Sequence, residues 1–157
     1  MRYSNNKMEI KFNRVHTAVD LTISAIVLAA GIGLYFIHSG LGAVIAVCGL
    51  LMLIFYKGGY RREGDRTLLK KEGLDISRKC REQLTGYLAG LGAGLDIDKS
   101  NSGGTIRVDI YYEASGATAY VQVFDFADYL YRPATEMVEL KGKRAETLLK
   151  SFGLRCG

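Results

Sequence analysis

What this chain lacks first is charge. Between Leu21 and Tyr56 there are 36 residues without a single Lys, Arg, Asp or Glu. As one straight helix that run would measure about 54 Å, against about 30 Å for a bilayer core. The most polar point inside it is His38-Ser39-Gly40, with Gly42 just beyond. The run therefore reads as two transmembrane helices, roughly 21–37 and 41–56, joined by a short link. Competing readings are a soluble buried helical hairpin and a cleaved signal peptide. A chain of this size could hardly bury 36 uncharged residues in water, and a second apolar segment follows the first at once.

Histidine is nearly missing too. His16 and His38 are the two in the chain, and nothing after residue 56 carries one. That removes Ser-His-Asp and Cys-His catalysis as normally built, and the usual histidine metal sites. Cysteine is sparse and odd in number: Cys48, Cys80 and Cys156, with no Cys-x-x-Cys. This fits a reducing compartment. No Gly-x-x-x-x-Gly-Lys-Ser/Thr loop occurs. Gly90-Leu91-Gly92-Ala93-Gly94 follows a helical pattern instead of opening one, so it reads as a helix exit. Asp96-Ile97-Asp98-Lys99-Ser100 begins like a calcium loop, but Asn101 and Arg107 stand where that loop needs Gly and Glu. With no catalytic constellation, no cofactor and no metal, a non-enzyme is the expectation.

The charge that is present has an address. The chain's net +5 would ordinarily raise nucleic acid as a partner. Residues 1–20 hold Arg2, Lys7, Lys11 and Arg14 against Glu9 and Asp20. Residues 57–71 hold Lys57, Arg61, Arg62, Arg66, Lys70 and Lys71 against Glu63 and Asp65. Residues 72–157 are close to neutral, with 11 basic and 12 acidic side chains. The positive charge thus borders the uncharged run, with none in the link. The positive-inside rule then puts both termini in the cytoplasm, as in an integral protein of a bacterial-type inner membrane if the source is prokaryotic. Lys57, Arg61, Arg62 and Arg66 are the candidate lipid-headgroup contacts. Nucleic acid is not expected, because the domain beyond lacks the electrostatic footprint.

Small residues mark candidate helix-packing faces: Ala25, Ala29 and Gly33 in the first span, Gly42, Ala46 and Gly49 in the second. They would hold the hairpin to itself or, on a sharper reading, make a homo-oligomer or a small pore. Before the first span, Met8, Phe12, Val15 and Val19 suit an amphipathic segment on the cytoplasmic surface. Met8, Ile10 and Phe12 also alternate as a strand would.

Four regions follow: a cytoplasmic amphipathic segment (1–20), a two-helix hairpin (21–56), a basic juxtamembrane linker (57–71) and a cytoplasmic domain (72–157). In the last, Cys80, Leu84, Tyr87, Leu88 and Leu91 have helical period. Ile106, Val108, Ile110 and Tyr112 alternate with polar residues, Ser115-Gly116 is a turn, and 119–126 returns as a second strand. Residues 135–140 read as a third strand. Ala145, Leu148, Leu149 and Phe152 form the buried face of a closing helix. Residues 67–76 are a strand or a turn of helix. The expected fold is a small α+β domain of helix, three-stranded antiparallel sheet and helix. The alternative is a small β-barrel capped by a helix.

Seven aromatics fall between Tyr111 and Tyr131. Residues 125–133 read as an aromatic connection between strands. Within it, Asp128, Tyr129, Tyr131 and Arg132 are the candidate partner-binding residues, since Tyr and Arg dominate binding hot spots. The expected function is a membrane-anchored interaction or scaffold protein that presents its domain to a protein partner. Alternatives are a ligand-sensing or auxiliary subunit of a transport or secretion assembly and, further off, a pore.

Overall fold

The computed structural model describes residues 10–91, 94–97 and 106–154. Cys156, Met8, the basic residues Arg2 and Lys7, the centre of the glycine run and most of the 96–107 loop lie outside the described residues. Four helices and seven strands are present among those described. The chain divides into two compact units, Phe12–Arg61 and a second one from Arg62 onward that also takes in residues 10 and 11.

The first unit is a helical hairpin with a short strand at each end. Strand β1 is Phe12–Val15, helix α1 is Ala18–Tyr35, helix α2 is Ser39–Phe55 and strand β2 is Gly59–Arg62. Residues 12–15 are therefore extended, and the amphipathic helical reading does not apply to them. Helix α1 is long and apolar enough to cross a membrane, with a mean hydropathy of 1.9 over its 18 residues. Helix α2 is also apolar and one residue shorter. The break falls at 36–38, two residues before the polar triplet. His38 is the N-cap of α2, so Ser39 and Gly40 already belong to the helix.

Helix α1 starts sharply for a visible reason. Thr17 and Asp20 form a capping box: the Thr17 hydroxyl accepts from the Asp20 N–H, and Asp20 Oδ2 accepts from the Thr17 N–H at 2.8 Å. The same Oδ2 accepts from the Gly58 N–H at 2.8 Å. Asp20 is only 6 % exposed. It thus ties the root of α1 to the exit of α2.

Between the helices the contact is backbone to backbone. A Cβ added to Gly42 would overlap the backbone of Leu34 and Tyr35, and one on Gly49 would overlap that of Leu28. Gly31 is packed in the same way against Ile45 and Ala46. Side-chain-free positions permit this close backbone approach.

The second unit is a two-layer α+β domain. Strand β3 is Leu69–Ile76, helix α3 Arg78–Leu88, strand β4 Ile106–Glu113, β5 Thr118–Ala127, β6 Leu130–Pro133, β7 Val138–Lys141, and helix α4 Lys143–Ser151. The order is β3-β4-β5, and β5 is long enough to pair antiparallel with β6 along one half and β7 along the other. The domain has five strands instead of three. Residues 69–76 are a full strand, and the aromatic connection is itself a hairpin. The sheet is open, so the barrel alternative does not hold.

Alternation puts Ile106, Val108, Ile110 and Tyr112 of β4 on one face with Ala119, Val121 and Val123 of β5. Against that face lie Cys80, Leu84, Tyr87 and Leu88 of α3 and Ala145, Leu148 and Leu149 of α4, with Phe152 just beyond. Leu91, expected on the α3 stripe, is instead 77 % exposed. Helix α3 has ended by then, with Gly90 at φ +85, a conformation glycine tolerates.

Candidate docking surface

The β5–β6 hairpin carries the unusual chemistry. Its register pairs Ala127 with Leu130, Phe126 with Tyr131 and Asp125 with Arg132. Two residues remain for the turn, Asp128 and Tyr129, at φ 52 and 62. A two-residue hairpin turn with positive φ at both places normally uses Asn, Asp or Gly. Asp128 suits that preference. Tyr129 does not, because a bulky L-residue is strained there.

Tyr129 is 93 % exposed, beside Leu130 at 63 % and Phe126 at 45 %. Arg132 and Asp128 are joined at 2.9 Å across the base of the tip. Tyr131 packs on Phe126 with centroids 5.1 Å apart, and the Arg107 guanidinium lies 5.8 Å from the Tyr131 ring. The four expected partner-binding residues, Asp128, Tyr129, Tyr131 and Arg132, are therefore gathered on one projecting hairpin.

Beside the hairpin runs an open groove of about 540 Å³. One wall is the polar stripe of α3: Arg78, Arg81, Glu82 and Thr85. The other is Asp125, Phe126 and Ala127 of β5, with Ile106 between them. Arg81 holds Asp125 Oδ2 at 2.7 Å. Asp125 Oδ1 is buried and has no donor among the described residues. A buried acceptor in that state is uncommon enough to need a reason. The sequence pattern gave Arg78, Glu82 and Thr85 no role. The signal was their i, i+4, i+7 spacing, which puts them on one helical face.

The sheet face away from the helices carries ion pairs. Asp109, only 7 % exposed, takes Lys71 Nζ at 2.7 Å and Arg107 Nε at 2.8 Å. Burial pulls the Lys71 pKa down, but bonds to Asp109 and Tyr111 outweigh it and leave it raised. The bond to Asp109 likewise raises that of Arg107. Further along, the Tyr120 hydroxyl sits 3.2 Å from both Arg62 Nη1 and Glu139 Oε1. Burial holds the Tyr120 phenol above its ordinary value. Arg62, expected at lipid headgroups, is thus engaged in the domain, whereas Lys57, Arg61 and Arg66 are exposed.

Of the small-residue stripes, Gly42, Ala46 and Gly49 lie on the side of α2 that meets α1. Ala25, Ala29 and Gly33 are exposed, and nothing lies within 4 Å of a Cβ added to Gly33. The residues of α1 that meet the glycines of α2, or are themselves packed on it, include Leu28, Gly31, Leu34 and Tyr35. Cys80 is buried and its sulfur accepts from the Ser77 hydroxyl, whereas Cys48 is exposed on α2.

Compared with known proteins, the chain matches no family model, no curated protein and no solved structure.

Proposed function

We propose that this chain is a non-catalytic, membrane-anchored interaction protein. Helices α1 and α2 cross the bilayer as a hairpin with both ends in the cytoplasm, and the domain from Arg62 onward presents the β5–β6 hairpin to a protein partner. The anchor reading rests on the apolarity of both helices and on the cationic flanks at Lys11, Arg14, Lys57, Arg61 and Arg66. The docking reading rests on one observation above all: Tyr129 occupies a strained φ of 62 while 93 % of it faces solvent. Strain kept without a contact inside the fold points to a contact outside it.

The test is the protein mass of the complex purified in mild detergent. The wild-type complex is expected to exceed one chain's 17.3 kDa. The double variant Tyr129→Ser, Leu130→Ser is expected to fall to one chain. A wild-type protein that runs as a clean monomer, with nothing bound, overturns the docking reading. Release from membranes by alkaline carbonate overturns the anchor.

A further inference from the structure

The hairpin and the groove beside it share Phe126 and Ala127, so one surface offers a projecting knob and an adjoining recess. Three kinds of occupant could cover it, and the residues discriminate among them. A lipid surface is disfavoured by Asp128, whose side chain is 75 % exposed at the very tip. Entering the headgroup region would bring that carboxylate among anionic lipid. An added β-strand is disfavoured by Pro133, which ends β6 without an N–H to offer.

The third occupant brings a charge complement of its own. We infer that the partner is a second copy of this chain, docked so that Tyr129 of each enters the α3–β5 groove of the other. This rests on the reading that the hairpin is a docking element. A two-fold axis makes such a contact reciprocal. It would bring Asp128 of one copy beside Arg132 of the other, and the reverse, which exchanges the pair now closed at 2.9 Å within one hairpin. Tyr129 is 93 % exposed, and the recess it would enter is lined by the apolar Ile106 and Phe126. Arg78, without a partner among the described residues, lines the same recess.

Size sets the class of the contact. A standard interface buries about 800 Å² per partner, and a buried tyrosine supplies about 150–250 Å² of it. Tyr129, Leu130 and the exposed part of Phe126 therefore make a small interface. Copies anchored in one membrane meet at a high effective concentration, which such an interface needs.

The test places photoreactive p-benzoyl-phenylalanine at Leu130 and leaves Tyr129 intact. The full-length chain is irradiated twice, purified in liposomes of phosphatidylcholine and phosphatidylglycerol, and in cell membranes. The expected product is an adduct of twice the 17.3 kDa chain mass, joined within 78–85 or 125–127 of the second copy. Adding Tyr129→Ser is expected to reduce it at least about tenfold, one factor of ten being about 1.4 kcal/mol. Tyr129 is exposed, so that change leaves the core intact. An adduct to a different protein in cell membranes, with none in liposomes, overturns self-pairing and leaves the docking reading standing. An adduct between copies joined elsewhere overturns the groove. No protein adduct in either setting overturns both.

Discussion

The two units are built inside out relative to each other. In the hairpin the buried residues of α1 and α2 are Asp20, Ser24, Gly31, Gly42 and Gly49, while Ile26, Val44, Leu50 and Phe55 face outward. In the domain the buried residues include Leu84, Val108, Ile110, Val121 and Leu148, and charged side chains such as Lys70 and Lys143 face outward. Side-chain volume holds the second unit together by leaving water. The first is held by the absence of side chains where its helices cross. Each arrangement answers a different solvent, and on the proposed reading the first of these is lipid.

Substitution should break the two units in opposite ways. The largest loss is expected in the domain. Leu148→Ala opens a cavity between α4 and the sheet and should cost about 2–5 kcal/mol, read as a lowered urea midpoint for the domain's circular dichroism. In the hairpin, adding volume does the damage. Gly49→Leu would drive a side chain into the Leu28 backbone and should cost about 1–3 kcal/mol or more. Disulfide trapping between cysteines placed on α1 and α2 would report it. Gly33→Leu, on the open side of α1, should leave that trapping unchanged.

Polar groups sharpen the contrast. Asp20→Ala leaves the Thr17 and Gly58 N–H groups without their acceptor and should cost about 1–3 kcal/mol, seen as faster hydrogen exchange at Gly58. In the domain, Tyr120→Phe removes a hydroxyl between Arg62 and Glu139 and should cost about 1 kcal/mol. The fold favours the protonated phenol, whose pKa is raised. Its contribution is therefore complete below about pH 10 and lost as pH climbs through the raised value. Denaturant titration at rising pH should show Tyr120→Phe without that part of the alkaline loss. The smallest effect runs the other way. Tyr129→Gly relieves a positive φ and should stabilise the domain, by at most about 1 kcal/mol, in the same titration.

The domain's layers were legible because polar and apolar residues alternate along β4 and β5 and recur with helical period in α3 and α4. Strand β6 was not, since all four of its residues are exposed and an edge strand with two open faces has no alternation to read. In the hairpin the break fell two residues early because His38, Ser39 and Gly40 are as suited to capping a helix as to leaving one. Small residues line two faces of α1, Ser24 with Gly31 and Ala25 with Ala29 and Gly33. Only the position of α2 decides which face is used. The candidate site was half legible. Tyr129 and its neighbours stood out by type, but the groove needed the pairing of Asp125 with Ile106 to bring β5 under the polar stripe of α3.

The bond from Gly58 to Asp20 has a mechanical consequence. Any pull delivered through the segment after residue 58 reaches a point already fastened to the root of α1. On the proposed anchor reading, the load is then shared by both helices from the outset, so the hairpin would resist extraction as one piece instead of peeling α2 away first. A single carboxylate oxygen, holding Thr17 on one side and Gly58 on the other, fastens the two helices at one root.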